Sequence, residues 1–317
     1  MSSKPDISVI VTVYNQAFPS VILTLDSIVR QKNVDFEIVI ADDCSRHDYA
    51  AELEEYFSAQ SFDGYTYVRH DTNYKTVGNL LHALDHCRGR YVKEIGTGDA
   101  LFDEHVLHDI VRFCNDRGVE IGFGSIRQYN NEGESLAVGE YSAPKNARSY
   151  ESESHKELFR HQLSLADWIP APAQFYTTQR YKQLLDRLYN EFGVRYCEDF
   201  TATIALEEQT IPYLDRPLIW YEFGVGISTT GGKESVRRLY RDHESFYQTE
   251  LKLHPNSSFY KSALRAFKLR KFIAVDTPFY SFFQNRLANQ YQKEQDGNVV
   301  ANDMLLSCLR AKNEVEA

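Results

Sequence analysis

Carboxylates occur at three places in this chain where chemistry is conceivable. Asp42 and Asp43 follow the apolar stretch "EIVIA" (Glu37 to Ala41), Asp99 ends "RYVKEIGTGD" behind Gly96 and Gly98, and Glu198 and Asp199 stand together in "RYCEDFTATIAL". A carboxylate can hold a magnesium or manganese ion together with phosphate oxygens and water. It can also take a proton from a hydroxyl as a general base. The same residues suit a plainer task, since Asp at a helix N-terminus accepts backbone N–H bonds and meets the positive end of the helix dipole. The elements around them must decide.

The first half alternates two kinds of stretch. "ISVIVTV" (Ile7 to Val13) is a short β-branched apolar run, as expected for a strand buried on both faces, and Val21, Ile22, Leu25, Ile28 and Val29 then recur at helical intervals. The alternation continues through "EIVIA", a helix-like stretch around Tyr49 to Phe57, "YTYVR" (Tyr65 to Arg69), a helix carrying Val77, Leu80, Leu81 and Leu84, "RYVKEI" (Arg90 to Ile95), and a helix after Asp103. Strands alternating with helices imply an α/β fold with a mainly parallel sheet flanked by helices. Ligands of such sheets bind beyond the carboxyl ends of the strands. Thr12, Tyr14, Asp42, Asp43 and the segment Gly96 to Asp99 all fall there. A dinucleotide-binding domain would need glycines in its first strand-to-helix turn. That turn reads "TVYNQAFPS" and has none.

The second half is less regular. "IGFGSIRQY" (Ile121 to Tyr129) reads as a strand, Ala143 to Glu157 as a polar loop able to cover a site, and Thr178 to about Tyr189 as a helix. From residue 232 onward the chain reads as helices. The organisation expected is a domain over 1–231, divided into halves 1–118 and 119–231, and a helical C-terminal region over 232–317.

A net charge of −10 over 317 residues opposes nucleic-acid binding, which depends on Lys and Arg displacing counterions from phosphates. Five scattered cysteines without CxxC spacing argue for reduced thiols. The opening "MSSKPDISVIVTVYN" lacks the pattern of a signal peptide, and no apolar run is long enough to span a bilayer, so a cytoplasmic protein is expected.

Four stretches, in order, resemble the family 2 glycosyltransferases, inverting nucleotide-sugar enzymes of the GT-A fold. "SVIVTVYN" resembles the first strand and turn, "DFEIVIADDCSRHD" the second strand with its Asp-Asp-x-Ser signature, "CRGRYVKEIGTGD" the strand leading into the metal motif, and "RYCEDFTATIAL" the Glu-Asp motif that supplies the base. Together they span roughly residues 7 to 228. The resemblance implies a Rossmann-like GT-A sheet with a nucleotide-sugar donor, and it assigns roles by position. Thr12, Tyr14, Asp42, Asp43 and Asn79 would contact the donor, and Lys75 is a further candidate. Asp199 would be the base, Glu198 would orient the acceptor, and Asp99 would hold Mn2+ or Mg2+. Members commonly carry further carboxylates where this chain has Gly96 and Gly98, which puts the strength of metal binding in question.

The acceptor would be a glycan or lipid-linked oligosaccharide met by the divergent second half, where Trp168, Trp220 and Tyr221 could stack on a sugar ring. "RPLIWYEFGVGISTTGG" occupies the place where members often close over the donor. Residues 257–275 carry five Lys or Arg, no acid and interleaved aromatics. They could lie on the inner face of a cell membrane, or pack on the catalytic domain or on a second copy of the chain. Histidines 82, 86, 105 and 108 read as surface or packing residues. The function expected is inverting transfer of a sugar, from a UDP donor, in bacterial surface polysaccharide assembly. The alternative is a degenerate relative that binds or scaffolds glycans without catalysis. A nucleotidyltransferase would need a Gly-rich phosphate loop after the first strand.

Overall fold

The computed structural model describes residues 4–132, 135–144, 147–165, 167–223, 232–276 and 300–316. Strand β1 (Ile7–Val13) is buried along almost its whole length, as its unbroken apolar sequence requires. It lies between β2 (Phe36–Asp42) and β4 (Tyr91–Gly96), parallel to both, and β3 (Tyr65–Arg69) extends the parallel set beyond β2. The register sets Thr12 beside Ala41 on one side and Gly96 on the other, and Val13 beside Asp42. Three carboxyl ends therefore finish level.

Helices α1 (Phe18–Val29), α2 (Ala50–Ala59), α3 (Lys75–Ala83) and α4 (Val106–Arg117) connect these strands and lead on from them. The α4 C-terminus shows its stop signal plainly: Gly118 takes φ +62° and returns its N–H to the Cys114 carbonyl at 2.9 Å.

Beyond β4 the sheet runs β8 (Gln174–Thr177), β6 (Ile121–Glu132), β9 (Tyr213–Glu222) and β5 (Ala100–Leu101), with β7 (Ser135–Ala143) paired to β6. Here only β6 and β9 are parallel, so the parallel arrangement belongs chiefly to the first four strands of an otherwise mixed α/β sheet. The stretch expected as a polar loop over Ala143 to Glu157 is shorter than that, because α5 (His155–Leu165) begins inside it. Helices α6 (Thr178–Asp186) and α7 (Phe200–Glu208) follow, then α8 (Gly232–Leu253), α9 (Ser258–Asp276) and α10 (Asp303–Glu316). Residues 224–231, the glycine-rich stretch expected to close over a donor, lie outside the described residues.

One hydrophobic cluster runs from Ile7 to Phe267, taking in Phe246, Tyr247, Tyr260 and Ala263 of α8 and α9. A smaller one joins Leu23 of α1, Ala100, Trp220, Leu305, Cys308 and Leu309, which fastens α10 to the outer face of α1 and the β9–β5 edge. Each such fully buried Leu is worth roughly 1.5–3 kcal/mol relative to exposure. All five cysteines are free. Among the described residues no helix is long and apolar enough to cross a membrane.

Candidate active site

A cleft of 660 Å³ opens at the level carboxyl ends of β1 and β4. Its size falls within the roughly 300–1,000 Å³ of small-molecule sites. Thr12, Tyr14, Asp43, Asn79, Asp99, Glu198 and Asp199 line it together with Lys75, Glu94, Gln128, Tyr221, Phe223 and Arg238. Residues as far apart as Thr12 and Arg238 thus line one cleft.

The β1 and β2 corners are tied to each other. Asn15, at φ +53°, donates its backbone N–H to Ser45 Oγ and accepts from Arg46 N through Oδ1, both at 2.9 Å. This holds Tyr14 at the mouth, where its ring is 44% exposed. Asp43 accepts from Tyr74 N at 2.6 Å and Lys75 N at 2.9 Å, so it fixes the start of α3 while facing the cleft. Asn79 donates to the Ala41 carbonyl at 2.9 Å and secures α3 to β2.

Asp42 does not reach the cleft. Its side chain is fully buried, with Oδ1 accepting from Ser45 N at 2.8 Å and Oδ2 from Tyr67 Oη at 2.9 Å. Consecutive residues at a strand end point to opposite sides. Of the two adjacent carboxylates, Asp43 therefore lines the cleft and Asp42 does not.

Strand β4 brings charge into an apolar sheet. Lys93 is fully buried and donates to the carbonyls of Glu94 and Pro172, each at 2.6 Å. Burial pulls its ammonium down to about 8, against the attraction of Glu94 and Asp99. Glu94 accepts a hydrogen bond from Tyr181 Oη, and burial pushes its carboxyl up to about 7.

Asp99 is 6% exposed and accepts from Glu222 N at 2.9 Å through Oδ1. Its turn is anchored by Thr24, whose hydroxyl donates to the Asp99 carbonyl at 2.7 Å and accepts from Gly98 N at 2.9 Å. Burial, and then the Glu222 charge, raise the Asp99 carboxyl to about 8. Gly98 explains why Glu222 is there. The glycine has φ +99°, and a Cβ built on it would lie 2.5 Å from Glu222 Oε2. A carboxylate from β9 fills the space that a side chain at position 98 would take. Lys312 of α10 pairs with the same group at 3.9 Å.

Glu198 and Asp199 arrive on the turn before α7. Asp242 of α8 holds that turn, its Oδ2 accepting from the backbone N–H groups of Arg195, Tyr196 and Cys197 at 3.0, 2.5 and 3.1 Å. Asp199 makes no side-chain cap on α7 and instead accepts from Ala171 N through Oδ1. Burial raises its carboxyl to about 6, with the Ala171 bond opposing the rise. Burial, followed by the charges of Asp199 and Glu94, holds Glu198 well above the ordinary carboxylate range. Environments that drive neighbouring carboxyls apart in this way fit one as a protonated partner and the other as a base.

The aromatic candidates separate. Trp220 is fully buried, stacked on Phe102 at 4.9 Å and donating to Asn302 Oδ1 at 3.0 Å, so it is not available to a sugar. Trp168 packs edge-on against Phe200 and His243 at 5.1 and 5.6 Å and does not line the cleft. Tyr221 does line it, with Phe223, which is 49% exposed. Glu94, Glu222, Arg238 and Phe223 escaped the sequence reading. Three of them had a signal: Glu94 interrupts a strand pattern, and period-two alternation along β9 and the residue after it puts Trp220 and Glu222 on one face and Tyr221 and Phe223 on the other.

Residues 8–175 match the family model described as Glycosyl transferase family 2. The chain matches no curated protein. Among solved structures it is similar to S. aureus TarS 1-349 in complex with UDP-GlcNAc, with a TM-score of 0.55 and 18% identity over 90% of this chain and 77% of that one. The same protein with UDP gives 0.53 and 18% over 87% and 75%. The mannosyltransferase PcManGT from Pyrobaculum calidifontis in complex with GDP-Man and Mn2+ gives 0.53 and 15% over 99% and 87%. At these identities the likeness is one of fold.

Proposed function

We propose that this chain, which belongs to glycosyl transferase family 2, transfers a sugar from a UDP-sugar to a hydroxyl of a glycan or lipid-linked oligosaccharide with inversion at the anomeric carbon. The observation that carries the reading is the meeting of Asp99 and the Glu198–Asp199 pair in the wall of one cleft at the carboxyl ends of the parallel strands. The TarS structures, solved with UDP and UDP-GlcNAc, support a nucleotide-sugar donor.

The donor set fits a divalent cation. Asp99 would hold it with Glu222 alongside, an all-oxygen arrangement suited to Mn2+ or Mg2+. Burial and the Glu222 charge disfavour an ionised Asp99 even with Lys93 and Lys312 nearby, a cost that a bound cation would offset. When bound, the ion supplies Lewis-acid stabilisation of the charge that develops on the leaving diphosphate.

The chain's own residues supply the rest. Tyr14 and Phe223 present exposed ring faces at the mouth, where a base or sugar can stack. Arg238 brings a guanidinium to the cleft wall, which suits a diphosphate. Asp199 takes the proton of the acceptor hydroxyl as that oxygen bonds to the anomeric carbon. The bond from that carbon to the phosphate oxygen breaks, and its electron pair leaves with the nucleoside diphosphate. Glu198, kept protonated, donates a hydrogen bond that orients the acceptor. The exposed Leu269 and Phe272 on α9, beside Lys268 and Arg265, form the face that would meet an anionic membrane bearing such an acceptor.

The test follows nucleotide release from UDP-GlcNAc, UDP-glucose and GDP-mannose with manganese and sugar acceptors, over about pH 5 to pH 8. Asp199 acts only when ionised. Below about 6, where burial has moved its carboxyl, kcat/KM with a UDP-sugar is expected to fall about tenfold per pH unit, and above it to level off. Release that is absent for every donor, or that shows no acid limb, would contradict the proposal.

A further inference from the structure

We infer that the chain has a second cation site, apart from the cleft, formed by Glu207, Glu250 and His254 and suited to zinc or a similar divalent transition metal. None of the three lines the cleft. Glu207 stands near the C-terminus of α7, at the opposite end of that helix from Asp199. Glu250 lies in the last turn of α8 and His254 just past its end, where the His254 backbone N–H still donates to the Glu250 carbonyl at 2.9 Å and keeps the two side chains on one side. One ligand atom from each of the three lies within 4.8 Å of the others.

An independent observation points to a missing charge. The Glu250 side chain is fully buried, yet neither of its oxygens has a hydrogen-bond partner. Its only ion pair among the described residues is with His254 Nε2, at 3.8 Å. A buried carboxylate without partners is strongly disfavoured, and a bound cation removes the penalty. The surroundings resemble the supporting shell of a metal site. Tyr260 Oη donates to Glu207 Oε1 at 3.1 Å, and Arg187 Nη2 lies 4.0 Å from Glu207 Oε2. The His254 ring stacks on Tyr260 at 5.2 Å and 13°. Its side chain is 51% exposed, which gives an ion a way in and leaves a position for water.

The chemistry of the ligands narrows the ion. Two carboxylates and an imidazole are a zinc-type set, whereas magnesium and calcium prefer oxygen alone. Ligand distances of about 2.0–2.2 Å would draw the three atoms closer than they now are. Rotation of the exposed imidazole can supply that movement. An ion there would pin the far end of α7 to α8 and, through Tyr260, to α9. The helix that begins at the Glu198–Asp199 turn would then be clamped at its other end.

Zinc is titrated into the full-length chain by calorimetry, for wild type, Asp99→Asn, Glu250→Gln and His254→Ala, with UDP binding measured on each. The expected result is one saturable zinc equivalent in wild type and Asp99→Asn, weakened at least about tenfold in Glu250→Gln and in His254→Ala. UDP binding should be unchanged in the last two variants. The inference is overturned if wild type binds no zinc, if the zinc equivalent disappears with Asp99→Asn, or if it survives both Glu250→Gln and His254→Ala. In each of those cases Glu250 is held by a proton rather than by an ion. The reading of the cleft is judged separately, by the UDP arm.

Discussion

Replacing Asp199 by Asn is expected to lower kcat by about 10²–10⁴, the usual contribution of a positioned general base. At 1.36 kcal/mol per decade this is about 3–5 kcal/mol of transition-state stabilisation. The substitution is nearly isosteric. Its amide oxygen can still accept from Ala171 N, so the turn held by Asp242 should keep its place. Donor affinity should hardly change, because the proton being moved belongs to the acceptor. The acid limb near pH 6 should vanish with the carboxylate. Steady-state rates and donor titrations on the variant check all three points, and transfer within about twofold of wild type would remove Asp199 from the chemistry.

The second large effect is on stability, and it runs against what a family comparison would suggest. The resemblance of this motif to the family's metal motif implies a carboxylate where this chain has Gly98, so Gly98→Asp looks like a repair. It is expected to do harm. The backbone at φ +99° disfavours any L side chain by about 1–3 kcal/mol. The new Cβ would also displace Glu222 Oε2, which lies 2.5 Å away at the end of a flexible side chain, and a third carboxylate would join Asp99 and Glu222. A loss of roughly 2–4 kcal/mol in all should lower Tm on the order of 3–6 °C. Affinity for manganese should fall or stay level. The double variant Gly98→Asp with Glu222→Gly relieves the collision and should recover part of both losses. Thermal melts of the three proteins decide, and a Gly98→Asp protein as stable as wild type with tighter manganese binding would show that Glu222 is not the substitute.

These two residues mark the border between what was legible in the sequence and what was not. The β1 to β4 half of the fold was legible because β1 and most of β2 are apolar runs buried on both faces, and because strand-like stretches alternate regularly with helical ones through α4. Helix α5 was not, since its sequence from His155 is largely polar and Leu158, Phe159, Gln162 and Leu163 are its buried side chains, packed toward α7 and α9. Asp99 and Asp199 were legible as positions in ordered motifs. The choice between Asp42 and Asp43 was not, because adjacent residues differ in direction and nothing local fixes which one turns inward. Glu222 lies 124 positions beyond Gly98 and meets it only through the positive φ of a turn. A gap in a motif cannot announce from where in the chain it has been filled. Trp220 shows the reverse error: an aromatic suited to a sugar was claimed by α10, whose packing the sequence did not place.

The most direct test is calorimetric titration of UDP into wild type and Asp99→Asn, each with and without manganese. Binding to the wild type should strengthen with the metal, and the strengthening should disappear in Asp99→Asn while metal-free binding stays the same. No binding of UDP to the wild type under either condition would contradict the account and leave a glycosyltransferase fold whose cleft serves another ligand.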